Sequence, residues 1–145
     1  MSDEIFVVAY EGDDDSASVL DYAIGRATKD GAALHVVHVL EWSPYSFLTP
    51  QEVEERHARR KQELARAEEA IIAPALARIT AAGVTATGEI RYGQVVELIA
   101  GIAREKAAAM IIVGRSGSNS VAARVFGSVP LGLAQIAPVP TVIVP

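Results

Sequence analysis

Short apolar runs, rich in β-branched residues, alternate with segments of helical character along this chain. The runs are EIFVVAY (4–10), ALHVVHVL (33–40), TATGEIRY (85–92), AMIIV (109–113) and VPTVIV (139–144). Strands that alternate with helices pair in parallel through right-handed crossovers, and the helices then cover both faces of the sheet. The alternation predicts an α/β fold with a doubly wound, parallel, five-stranded sheet. The expected strand order is 3-2-1-4-5, with helices on both faces.

The longest helical segment begins at the sequence TPQE. Thr49 is a predicted N-cap, Pro50 stands at the first helical position, and Glu52 completes a capping box. The helical pattern continues to about Gly83, but it contains Pro74. A proline inside a helix removes one backbone hydrogen bond and clashes with the preceding turn. We therefore expect this helix to be kinked or interrupted at Pro74.

The composition of the chain limits the number of domains it can form and the types of site and partner it can have. The chain has 145 residues, half of them apolar, which fits one domain spanning residues 1–145. It contains no cysteine, so disulfides, thiolate catalysis and cysteine-ligated zinc are excluded. A net charge of -5 argues against nucleic acid as a partner. No segment approaches the roughly 20 apolar residues of a membrane span, and no signal peptide is evident. We expect no membrane association and a cytoplasmic location.

The stretch GRSGSNSVAARVFGS, from Gly114 to Ser128, follows the fourth apolar run. In open α/β sheets, ligands bind beyond the carboxyl ends of the strands, where the strand order reverses. In the expected order, the reversal falls between the first and fourth strands. This stretch and the sequence EGDDDS, which follow those two strands, would therefore lie side by side at that point. A glycine-rich loop between a strand and a helix can direct backbone N–H groups toward an anion. We interpret this stretch as a phosphate-binding loop, with glycines Gly114, Gly117 and Gly127, the hydroxyl of Ser128, and the cations Arg115 and Arg124.

The spacing of these residues, G-x2-G-x9-G-S, resembles the ATP-binding signature of the universal stress protein family. The resemblance covers the whole chain: VVAYEG is similar to the family's first strand, which ends in DGS, and LHVVHV, MIIVGRSG and PVPTVIVP are similar to later strands. The resemblance implies that ATP or another adenine nucleotide is the ligand; AMP and cyclic AMP are alternatives, since Arg115 and Arg124 would suit one phosphate as well as three. It further implies that Gly114, Gly117, Gly127 and Ser128 hold phosphates and ribose, and that Val39 lines the adenine pocket.

The end of the first strand departs from the family pattern. The family has Asp at the position where this chain has Glu11, so the carboxylate is kept with one additional methylene. The neighbouring residues Asp13, Asp14 and Asp15 are alternatives for its role. This acidic triplet is either a solvated helix start or a Mg²⁺ bridge to nucleotide phosphates.

Two classes of function remain open. One is a nucleotide-binding regulatory module, which alters its own dimer or binds another protein. The other is an enzyme, either a slow ATPase or a nucleotidyl transferase. No catalytic residue or metal ligand is predicted, since the chain lacks a phosphate-loop lysine and a positioned base, and His35 and His38 point to opposite faces of their strand. This absence favours the regulatory module.

The last apolar run, VPTVIV, would form an exposed apolar edge of the sheet in a monomer. Such edges are normally paired or blocked, because their free N–H and C=O groups attract other strands. The family resemblance points to the same edge. We therefore expect a homodimer joined through the C-terminal strand.

Overall fold

The computed structural model describes residues 3–12, 16–41, 49–115 and 129–145. Within these ranges the strands are β1 (Ile5–Ala9), β2 (Ala33–Glu41), β3 (Ala86–Gly93), β4 (Met110–Gly114) and β5 (Thr141–Val144). The helices are α1 (Ala17–Asp30), α2 (Pro50–Ala67), α3 (Ala73–Ala81), α4 (Val95–Glu105) and α5 (Val129–Ile136). A π-helical turn, Glu68–Ile72, joins α2 to α3.

The strands form one parallel sheet in the order β3-β2-β1-β4-β5. Helices α1 and α3 pack on one face, and α4 and α5 pack on the other. The predicted fold class, strand order and placement of helices on both faces are all confirmed. Each described helix is too short or too polar to cross a bilayer.

β1 lies at the centre of the sheet and is covered on both faces. Phe6, Val7 and Val8 are completely buried. Phe6 and Val8 point toward α1, whereas Val7 points toward α4, because successive side chains of a strand alternate between faces. A continuous apolar run, rather than an alternating one, is the pattern of a strand buried in this way.

The predicted N-cap Thr49 and the first-turn Pro50 are observed at the start of the long helical segment. The Glu52 N–H donates a hydrogen bond of 3.2 Å to the Thr49 hydroxyl, and Pro50 occupies the first turn. The predicted interruption is the π-helical turn, in which the Ala73 N–H donates to the Glu68 carbonyl. Pro74 follows directly, so the wider turn accommodates the proline without breaking the helix.

Tyr92, near the end of β3, connects this strand to α2. Its hydroxyl donates to the Glu63 carboxylate at 2.8 Å, and the Arg60 guanidinium lies 5.0 Å from its ring centroid. Burial and the bond to Glu63 raise the pKa of Tyr92 to about 12. The neutral phenol is therefore favoured in the folded protein, and this contribution to stability is lost only as the pH rises from about 10 through about 12.

A strained residue that lies two positions beyond the end of α4 gives a testable stability prediction. Ala107 has a φ of 50°, the left-handed conformation that glycine adopts at low cost. We expect Ala107→Gly to raise the free energy of unfolding by about 0.5–1 kcal/mol. Urea denaturation should show a higher midpoint with an unchanged slope.

Ala82, at the end of α3, is the matched control for this substitution. It is also exposed, but its φ is -83°. Ala82→Gly relieves no strain and makes the unfolded chain more flexible, so it should lower stability. Equal effects of the two substitutions would contradict the assignment of strain to Ala107.

Candidate functional site

The candidate site is a cavity of about 350 Å³ at the carboxyl edge of the sheet. It lies where the strand order reverses, since β1 pairs with β2 on one side and with β4 on the other. The chain after β1 continues into α1 on one face, whereas α5, which follows β4 in the element order, packs on the opposite face. The divergence of these connections leaves the opening between β1 and β4.

One wall of the cavity is apolar. Val37 and Val39 of β2, Val95 and Ile99 of α4, and Val113 of β4 contribute to it. Val37, Ile99 and Val113 are almost completely buried, so their positions are fixed by the core beneath the cavity. Such a wall suits the flat, weakly polar face of an aromatic base.

The rim of the cavity is polar and carries both signs of charge. Glu11 lies two residues beyond β1, Arg115 follows β4 directly, and Ser16 and Ser18 lie at the start of α1. The backbone N–H of Arg115 donates a hydrogen bond of 2.8 Å to the Val144 carbonyl. This bond holds the chain directly after β4 against β5. Residues that carry a carboxylate, a guanidinium and hydroxyls therefore line the cavity together with the apolar wall.

Two helices begin at this cavity. α1 begins at Ala17 and α5 at Val129, and residues of both N-terminal ends line the cavity. The N-terminal end of a helix carries partial positive charge and favours anions. An anionic group placed at the rim would be stabilised by these ends as well as by Arg115.

The structure brings four of the predicted site residues together. Glu11, Val39, Gly114 and Arg115 all line the same cavity. The other four, Gly117, Arg124, Gly127 and Ser128, lie outside the described residues, as does the acidic triplet Asp13–Asp15. Their roles remain predictions from the sequence.

Several other residues line the cavity but were not predicted from the sequence. Val95 and Ile99 are four residues apart on α4, a spacing that marks an inward face but does not separate core from cavity. Ser16 and Ser18 are also among the lining residues. Ser16 is the last residue of the EGDDDS sequence that was expected at the site, and Ser18 lies two residues beyond it, so this sequence was the signal that could have identified them.

Gly114 is required by packing, independently of any ligand. A Cβ atom at this position would lie 2.9 Å from Cγ2 of Val19, a buried residue of α1. The absence of a side chain on the last residue of β4 therefore allows α1 to pack closely on the sheet beside the cavity.

Gly12, the residue that follows Glu11, is under a similar packing constraint. Its φ is 83°, and a Cβ atom there would lie 2.9 Å from two side-chain carbons of Ile71. Ile71 belongs to the π-helical turn. The path of the chain after Glu11 is thus fixed by a glycine conformation and by contact with this turn.

A second polar cluster lies apart from the cavity. The buried His35 ring places Nδ1 2.7 Å from the Thr87 hydroxyl and Nε2 2.6 Å from the Glu89 carboxylate. Burial alone would raise the pKa of Glu89, but the hydrogen bonds from His35 and Arg91 outweigh it and lower this pKa. Among the described residues, no group of three or more histidine, aspartate or glutamate side chains is arranged to hold a metal ion.

Comparison with known sequences identifies one family. The model of the universal stress protein family matches residues 4–145 of this chain. No curated protein sequence matches the chain.

Solved structures of the same family share the fold. Universal stress protein UspA from Lactobacillus plantarum is 20% identical with a TM-score of 0.83, and the alignment covers 100% of this chain and 99% of that one. A universal stress protein in complex with cAMP is 25% identical with a TM-score of 0.71, covering 99% and 98%. The protein from Archaeoglobus fulgidus in complex with dAMP is 20% identical with a TM-score of 0.67, also covering 99% and 98%.

The contact between Gly114 and Val19 gives a prediction for stability. Gly114→Ala would place the new methyl group against Val19, and we expect it to lower the free energy of unfolding by about 1–3 kcal/mol, as overpacking does. Chemical denaturation of Gly114→Ala, Val19→Ala and the double variant measures the coupling. Val19→Ala removes the obstructing methyl groups, so the double variant should be less destabilised than the sum of the two single variants. Simple additivity would contradict the proposed contact.

Proposed function

This chain belongs to the universal stress protein family, and on that basis we propose that it binds an adenine nucleotide, with ATP as the expected ligand. The nucleotide occupies the cavity between the carboxyl ends of β1 and β4. The protein acts in the stress response as a cytoplasmic regulatory module, one domain over residues 1–145, whose nucleotide-bound state changes its own dimer or its affinity for a protein partner.

The observation that carries this proposal is the convergence of residues from separate parts of the sequence on one cavity. Glu11, Val39, Gly114 and Arg115 were predicted from the sequence, and all four line it. The cavity volume of about 350 Å³ lies within the range of small-molecule sites, roughly 300–1,000 Å³. Its apolar wall and polar rim match a ligand with an aromatic base at one end and phosphates at the other.

In the proposed complex, the adenine ring lies against Val39 and the rest of the apolar wall. The Glu11 carboxylate accepts hydrogen bonds from ligand hydroxyl or amino groups. Arg115 and the N-terminal ends of α1 and α5 stabilise the phosphates. The loop glycines Gly117 and Gly127, with Ser128 and Arg124, complete the phosphate site.

The names of two structural neighbours are consistent with this ligand class, since one is in complex with cAMP and the other with dAMP. AMP and cyclic AMP are the alternative ligands that we propose for this chain. If a triphosphate is bound, the acidic triplet Asp13–Asp15 supplies carboxylates for Mg²⁺. We expect at most weak hydrolysis of ATP.

The phosphate loop is tested by Gly117→Val. A β-branched side chain resists positive φ and blocks close approach of a phosphate, so this variant should lose ATP binding while keeping its far-UV circular dichroism spectrum. Titration calorimetry measures the affinity. Gly25→Val is the control and should bind ATP normally, because Gly25 is exposed on α1 and an added Cβ there would meet no atom within 4 Å. Unchanged ATP affinity in a folded Gly117 variant would refute the phosphate-loop interpretation.

Further variants of the loop separate phosphate contacts from base contacts. Ser128→Ala should weaken ATP binding by about 1–2 kcal/mol, the value of one hydrogen bond to a charged group. Arg124→Ala should lower the affinity for ATP but not for adenosine. Equal losses for both ligands would place Arg124 away from the phosphates.

The proposed homodimer is joined through β5, the edge strand next to β4. Val142 packs against the core, whereas Ile143 is 46% exposed, so Ile143 is the side chain available to a partner. We expect Ile143→Lys to yield a folded monomer in sedimentation-velocity experiments, because it places a charge in an apolar interface. Val53→Lys, at an exposed position of α2, should remain dimeric. A dimer that survives Ile143→Lys would place the interface elsewhere.

A further inference from the structure

A buried histidine lies directly behind the cavity without lining it. The His38 side chain belongs to β2, is only 9% exposed, and places Nδ1 2.9 Å from the carbonyl oxygen of Tyr10. The cavity is lined by its neighbours Val37 and Val39, whose side chains point to the opposite face of the sheet. His38 is therefore close to the site but has no surface in it.

The chemistry of this contact determines which ring nitrogen carries hydrogen. A backbone carbonyl oxygen accepts hydrogen bonds and cannot donate them. Nδ1 of His38 must therefore carry the hydrogen and donate it to Tyr10. In the neutral ring, this leaves Nε2 without a hydrogen.

The hydrogen bond from His38 joins the chain to β2 one residue beyond the last paired residue of β1. The register of the two strands ends at Ala9 opposite Val37. The next residue, Tyr10, donates its N–H to the Val37 carbonyl at 3.0 Å and accepts the His38 bond at its own carbonyl. Both backbone polar groups of Tyr10 are thus held by β2.

The residue after this attachment is Glu11, which lines the cavity. Gly12 follows, with its positive φ and its contact with Ile71. The direction of the Glu11 peptide is consequently set on one side by the His38 bond and on the other by the packing of Gly12.

We propose that His38 is a positioning residue of the nucleotide site. It holds the Tyr10 carbonyl so that Glu11 enters the cavity in the binding geometry, and it makes no contact with the ligand. The effect on affinity rests on the proposed function, but the effect on the backbone of Tyr10 does not.

The first test uses the ligand-free protein. Long-range proton–nitrogen NMR correlations should show hydrogen on Nδ1 of His38.

Two variants of the ligand-free protein test the bond itself. Asparagine can place its amide nitrogen near the position of Nδ1, whereas glutamine reaches toward the position of Nε2. Exchange of the Tyr10 amide hydrogen, relative to that of Val8, should therefore be nearly unchanged in His38→Asn and about five- to tenfold faster in His38→Gln. A neutral ring with hydrogen on Nε2 alone, or equal exchange in the two variants, would overturn the proposal.

The second test measures ATP affinity by calorimetry. His38→Asn should bind within about twofold of the unchanged protein, and His38→Gln about five- to tenfold more weakly. His35→Leu is the matched control, because it removes a buried histidine of the same strand that bonds to Thr87 and Glu89 instead. It should lower thermal stability without changing ATP affinity or Tyr10 exchange.

The outcomes separate the two proposals. If the unchanged protein binds no adenine nucleotide, the proposed function fails, while the Tyr10 exchange rates still decide the role of His38. If ATP binds, but His38→Gln and His38→Asn bind it equally well, the positioning role is refuted and the proposed function stands. Equal loss of affinity in His35→Leu and His38→Gln would show that general destabilisation, rather than positioning, causes the effect.

Discussion

The central position of β1 determines where this protein can have a site. Phe6, Val7 and Val8 are buried because helices cover both faces of β1, and β1 pairs with β2 on one side and β4 on the other. Because β2 lies on one side and β4 on the other, the connections at the carboxyl edge diverge to opposite faces of the sheet. The cavity is the space between them, and its location follows from the reversal of the strand order between β1 and β4.

The same contacts that pack the core also shape this cavity. The missing side chain of Gly114 admits Val19 of α1, and Gly12 lies against Ile71 of the π-helical turn. The hydrogen bond from His38 to the Tyr10 carbonyl holds the chain just beyond β1. Each contact joins a residue beside the cavity to an element of the surrounding core, so the packing of the core sets the positions of these residues.

Much of this architecture could be predicted from the sequence, because strand and helix periodicities are local. The convergence of Glu11 and Gly114 followed from the rule that sites form at the carboxyl ends of strands. The role of His38 could not be predicted, since it depends on the register between β1 and β2. Pro74 indicated an interruption of the helix but not its form as a π-helical turn. Likewise, periodicity marked the inward face of α4 without showing that Ile99 meets the cavity.

Native mass spectrometry of the purified protein tests nucleotide binding most directly, because it weighs the folded chain together with any retained ligand. We expect an added mass of one adenine nucleotide per chain, either as purified or after mixing with ATP. Denaturing the sample should release this mass, and fragmentation should identify the nucleotide. A folded chain that carries no added mass under both conditions would contradict the proposed function.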